Sequence, residues 1–299
     1  MQFTLATIAF ATFLWWFSTG LIFFLNARPA HTFRWSMLAG SVMLAAALYG
    51  IWYSAGLESV AGAFVAFTCG LVIWGWHTMS YYMGIITGPR RQPCPPGCRG
   101  TQRFRHALAT SLYHELAIVA TVALLLGLTW GQPNTLGLWT FVLLWLMHVS
   151  AKLNVFLGVR NLNIEFIPQR LGYLTTYFRN KPMNLLFPVS VTGGTIVTIL
   201  LAQQAGVAEP GTLQSTGYIL LASLMALAVI EHWFMILPIP ADALWRWSLK
   251  AASRTARASS RSGRMETPAY HNKGKPEVPT RAASSDQSAM KTVAPSANG

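Results

Sequence analysis

Charge is scarce in this chain: Asp, Glu, Lys and Arg make up 10% of its 299 residues, and only 9 are acidic. Soluble domains carry about one quarter charged residues. With 53% hydrophobic residues and a mean hydropathy of +0.40, the shortage excludes a soluble globular protein and leaves an integral membrane protein. Internal repeats are absent, and so is the His-x-x-His spacing that membrane di-iron oxygenases use near helix ends. Before the first apolar run, Met1-Gln2-Phe3-Thr4 has no basic residue, and the run is longer than the core of a signal peptide, so the segment is expected to stay as a helix. Lys and Arg are missing altogether from three connectors, a pattern that governs everything else.

What is there is a series of seven apolar stretches, each near the roughly 20 residues that cross a bilayer as a helix. They run about Phe3–Leu25, Trp35–Gly56, Val60–Ile86, Arg105–Trp130, Leu136–Val159, Leu185–Gln204 and Leu213–Leu237. The net charge of +13 could signal nucleic acid, but its placement argues against that partner. Arg28 and Arg34 follow the first stretch, Arg90, Arg91, Arg99, Arg103 and Arg105 the third, and Arg160, Arg170, Arg179 and Lys181 the fifth. The connectors after the second, fourth and sixth hold only Glu58 and Glu209 among ionisable groups. Basic connectors stay in the cytoplasm, so the reading is an all-α, polytopic helix bundle of about seven transmembrane helices, N-terminus outside and C-terminus cytoplasmic. Residues 1–250 form the membrane domain. Residues 251–299 read as a basic, disordered cytoplasmic tail, because Ala, Ser, Thr, Lys, Arg and Pro bury too little to offset ordering entropy; ten of the 22 basic residues lie from Arg246 onward.

Four apolar stretches carry a histidine: His77, His114, His148 and His232. Counting residues to the basic connectors puts all four at depths of roughly 10–18 Å below the cytoplasmic interface. Ionisable groups at such depth are costly and mark functional sites. The layer is expected to bind a cofactor, whether a metal, a tetrapyrrole held through its central metal, or a quinone, or else to form a structural polar network or proton relay. Glu115 and Glu231 adjoin two of the histidines at about 100° around the helix, so they read as flanking partners with Asn154 and Lys152. Lys152 lies one turn from His148 and could neutralise Glu115 or Glu231.

Between the third and fourth stretches, Cys94-Pro95-Pro96-Gly97-Cys98 places two thiols on the expected reducing side, where a disulfide is disfavoured. Zinc wants four ligands, and His106 leaves the set incomplete, so the thiols read as incidental to a stiff basic turn, with redox or metal function as the alternative. Aromatic and basic residues interleave from Phe166 to Lys181, as in an interfacial segment with rings at headgroup level or a partner-docking surface.

Trp76-His77, Gly88-Pro89-Arg90-Arg91, Cys94-Pro95, Arg103-Phe104, Thr110, His114-Glu115-Leu116, Lys152-Leu153-Asn154, Gly158-Val159-Arg160-Asn161, Phe166-Ile167-Pro168, Tyr173-Leu174 and Glu231-His232-Trp233 together resemble the PuhE family. These are photosynthetic complex assembly proteins of purple phototrophic bacteria, and the likeness covers about residues 1–250. It implies a multi-pass protein of the bacterial inner membrane that assists complex assembly and modulates bacteriochlorophyll supply. It brings no catalytic residues. A bacteriochlorophyll intermediate, haem or metal on the four histidines would agree with that role, because the pigment's magnesium takes an axial imidazole. Implied partners are the lipid bilayer, reaction-centre or light-harvesting assembly components and pigment-synthesis enzymes, met on a cytoplasmic basic face of Arg90, Arg91, Arg103, Arg160, Arg170 and Arg179. Two other readings stand beside this non-enzymatic one: a metal-dependent membrane oxidoreductase acting on a tetrapyrrole or quinone, and a pure scaffold.

Overall fold

A computed structural model describes residues 1–162, 164–238 and 244–245; the expected tail lies outside the described residues. Among the described residues every element is helical. The long helices are α1 Gln2–Asn26, α2 Phe33–Ala55, α3 Val60–Tyr82, α5 Leu112–Leu128, α6 Leu136–Leu157, α7 Leu186–Val207 and α8 Leu213–Phe234; α4, Gly100–Ala109, is short. Six of them are long and apolar enough to cross a membrane unaided, and the bent pair of α4 and α5 brings the number to seven if it counts as one span. The polytopic all-α bundle therefore stands, with element ends within a few residues of those read from the pattern.

The fourth span is where the pattern misleads. Arg105–Trp130 is not one helix: α4 meets α5 at 62°. Helix bonding tightens at the junction, where Thr110 and Ser111 N–H groups donate to the Ala107 and Leu108 carbonyls. An extended segment from the preceding loop replaces the missing bonds. Arg90 N–H donates to the Ala109 carbonyl at 3.2 Å, and His114 N–H donates to the Thr87 carbonyl at 2.9 Å. Backbone groups freed inside a bilayer must find such partners, since lipid offers none. Gly88 sits against the backbone of Ala109, Thr110 and Ser111 so closely that any Cβ would overlap it.

Helices α3 and α8 are the most buried and form the centre. Ala63, Ala66, Phe67 and Leu71 of α3 pack with Ala11 of α1 and Leu220 and Leu224 of α8. A second cluster joins Ile73 of α3 to Ile51 of α2, Ile118 and Leu125 of α5 and Phe141 of α6. On the side without basic residues, buried Asn134 fastens three helix ends: its amide donates to the Ser54 and Gly62 carbonyls at 3.0 and 3.1 Å and accepts from Leu136 N–H.

The arginine-rich side is closed by the loop segment Gln169–Tyr177, a 3-10 helix with Leu171 and Tyr177 buried. The rings of this region also pack on the bundle. Phe166 stacks on Phe23 of α1 at 4.8 Å, and Trp245 packs edge-on to both.

Candidate functional site

Helices α3, α5 and α6 bring three of the four histidines together. The rings of His77 and His114 lie 6.2 Å apart, as do those of His114 and His148, with Tyr81 at 4.7 Å from His114 and Trp74 at 5.3 Å from His148. His77 and His114 are almost wholly enclosed. His77 Nε2 lies 2.9 Å from Thr121 Oγ1, and the Thr121 hydroxyl proton is spent on the Ala117 carbonyl. The imidazole must therefore donate from Nε2, which leaves its Nδ1 lone pair bare when neutral. That atom is buried without a hydrogen-bond partner, and so are His114 Nδ1 and His148 Nε2. Buried polar atoms are nearly always paired, so three unpartnered nitrogens on adjoining rings make this cluster the candidate site.

Glu115 faces this cluster despite its position beside His114. Its Oε1 accepts from Lys152 Nζ at 2.6 Å and its Oε2 from Trp145 Nε1 at 3.2 Å; Ser111 Oγ also accepts from Lys152, at 3.1 Å. Lys152 thus pairs with Glu115, not Glu231. Donor atoms of His114, Glu115 and His148 all lie within 4.8 Å of one another. Bonds of roughly 2.1 Å to one ion would need these atoms slightly closer, a change within reach of side-chain rotation. Among the described residues, these three form a set that could hold a metal within the helix bundle.

His232 stands apart from the three rings. Its Nδ1–H donates to the Ala228 carbonyl at 2.8 Å, so the neutral ring accepts at Nε2 from Ser150 Oγ at 2.9 Å. Ser150 and Ser190 hydroxyls are 2.9 Å apart, Asn154 Nδ2 donates to Ser190 Oγ, and Asn184 Nδ2 donates to Asn154 Oδ1. Helices α6, α7 and α8 are tied together by this chain. The four histidines are accordingly a triplet and a separate, fully bonded singlet, with Asn154 belonging to the singlet's network.

A cavity of about 710 Å³ between α1, α3, α6 and α8 joins the two groups. Its wall is mostly apolar, with Glu115, His148 and Lys152 on one side and Glu231 and His232 on another. Glu231 receives a hydrogen bond from Trp15. Sequence reasoning missed Thr121, Tyr81, Trp145 and the serine pair; a polar or aromatic residue in an apolar stretch is their only signal, and many such residues merely pack.

The six arginines read as a basic face divide in the same way. Arg103 is buried and donates to the Phe156 carbonyl at 2.8 Å and to the Tyr177 carbonyl, its guanidinium 3.9 Å from the Phe156 ring centre. Arg170 bridges two helix ends, donating to the Tyr82 and Asn26 carbonyls at 2.8 Å each. Arg90 donates to Tyr177 Oη and the Pro93 carbonyl. Arg91, Arg160 and Arg179 are exposed.

Comparison with known proteins adds relatives of the whole membrane region. A curated protein of Rhodobacter capsulatus, described as "Uncharacterized 30.4 kDa protein in puhA 5'region", is 40% identical over 250 residues, which is 82% of this chain and 90% of that one. No solved structure matches. The model of one family matches residues 1–256, and the chain belongs to that family, described as "Protein of unknown function (DUF3623)".

Proposed function

We propose that the chain is an integral membrane factor of the PuhE type that assists photosynthetic complex assembly and modulates bacteriochlorophyll supply by holding a tetrapyrrole in its intramembrane cavity. The carrying observation is the cavity itself: about 710 Å³, mostly apolar and with a histidine in its wall, within the range of roughly 300–1,000 Å³ typical of ligand pockets. The relative's position beside puhA supports the photosynthetic setting. The donor chemistry suits the ligand: His148 lines the cavity, and turning its ring would bring the enclosed, unpartnered Nε2 to a tetrapyrrole's central metal, which takes a neutral imidazole. Trp74 and His114 hold the His148 ring from two sides. The Glu115–Lys152 pair supplies a polar edge where ring substituents can be oriented. His148 would hold the pigment through its metal, and the pigment would supply a Lewis-acidic metal centre.

Protein purified from cells that make bacteriochlorophyll is expected to carry pigment, and His148→Ala to lower its occupancy at least fivefold while His232→Ala leaves it nearly unchanged. Colourless, metal-free protein, with unaltered pigment output after both replacements, would overturn the reading. The donor set of His114, Glu115 and His148 favours a second reading. Two imidazoles and one carboxylate with open positions suit iron in oxidative chemistry, as a metal-dependent oxidoreductase would need. That enzyme predicts stoichiometric iron and an accumulated tetrapyrrole precursor in a deletion strain; the assembly factor predicts reduced complexes without such accumulation.

A further inference from the structure

At the arginine-rich end, Cys94 and Cys98 are joined as a disulfide, against the reading of incidental thiols. The turn between them explains the approach: Cys98 N–H donates to the Pro95 carbonyl, folding the chain so that the two Cα atoms are 6.2 Å apart. A third ligand-bearing side chain is already there. His106 projects from α4 with Nδ1 3.9 Å from Cys98 Sγ. The loop is held rigidly, Cys94 N–H donating to Thr176 Oγ1 at 2.9 Å and Tyr177 Oη to the Gln92 carbonyl at 3.0 Å. Cys98 lies just ahead of the first turn of α4, where the helix N-terminus and neighbouring Arg99 favour a thiolate.

We propose that Cys94, Cys98 and His106 form a zinc site when the disulfide is reduced. Two thiolates and an imidazole make a three-ligand set, and water completes the tetrahedron. The exchange balances: a dithiol reductant breaks the Sγ–Sγ bond with two electrons and two protons and leaves as its own disulfide, after which Zn²⁺ displaces the two thiol protons. The site is distinct from the histidine triplet in position and chemistry.

Cobalt tests it on the full-length protein in detergent, reduced under anaerobic conditions, with three titratable thiols confirming reduction. One equivalent of Co²⁺ is expected to give a sulfur-to-cobalt charge-transfer band that Zn²⁺ bleaches. The band should vanish in Cys94→Ser and Cys98→Ser, and His106→Gln should weaken binding at least about tenfold. Cobalt at His114, Glu115 and His148 has no sulfur ligand and gives no such band. Reduced protein without the band, a band surviving both serine replacements, or unchanged affinity in His106→Gln would each overturn the proposal.

Discussion

Single side chains in this protein are decided by what they meet, not by their type. Arg103 and Arg91 stand in the same basic connector, yet Arg103 is buried on the Phe156 and Tyr177 carbonyls and Arg91 is exposed. Hydrogen bonds from charged donors contribute about 1.5–3 kcal/mol each. Arg103→Leu should therefore lower stability by roughly 3 kcal/mol or more, read by thermal unfolding in detergent, while Arg91→Ala should stay within about 0.5 kcal/mol. Equal effects would contradict the assigned contacts. Sequence made the histidines legible as polar atoms in apolar helices, and residue counting put all four, His77, His114, His148 and His232, at one level. It could not separate His232, because rotation about each helix axis and the choice of Ser150 as partner are set by tertiary packing. The burial of Arg103 was hidden for the same reason: its acceptors come from 53 and 74 residues away.

Among the elements, the bent fourth span is the instructive case. From Arg105 to Leu126 the sequence has neither Gly nor Pro and reads as continuous helix. The break is imposed from outside, by the Thr87–Arg90 segment bonding to Ala109 and His114. Gly88→Ala should force that segment away, because a methyl there would meet three backbone units that cannot swing aside. Overpacking of this kind costs about 1–3 kcal/mol. Faster amide exchange at Arg90 and His114 than at the α5 centre would report the loosened junction; wild-type exchange rates would refute it. By contrast α3 and α8 were readable from their apolar runs alone, and their caps agree, with Ser59 and Thr212 side chains accepting from the first turns.

For the molecule as a whole, the polytopic helical architecture was legible because the bilayer imposes a length and a composition on every span. Charge placement predicts the orientation: a phosphatase reporter active only outside the cytoplasm should work when inserted after Glu58 or Glu209 and fail after Arg91 or Arg179. The opposite pattern would invert the topology. Helix α5 has 17 residues, hence a length of about 26 Å at 1.5 Å per residue, against roughly 30 Å of hydrocarbon. Lipid beside a short span thins to match it. The kink that shortens α5 also turns α4 across the cavity, where Phe104, Ala107 and Leu108 form part of the wall. Because α4 lies across the cavity, its angle to α5 sets how much of the space beside His148 the protein itself encloses.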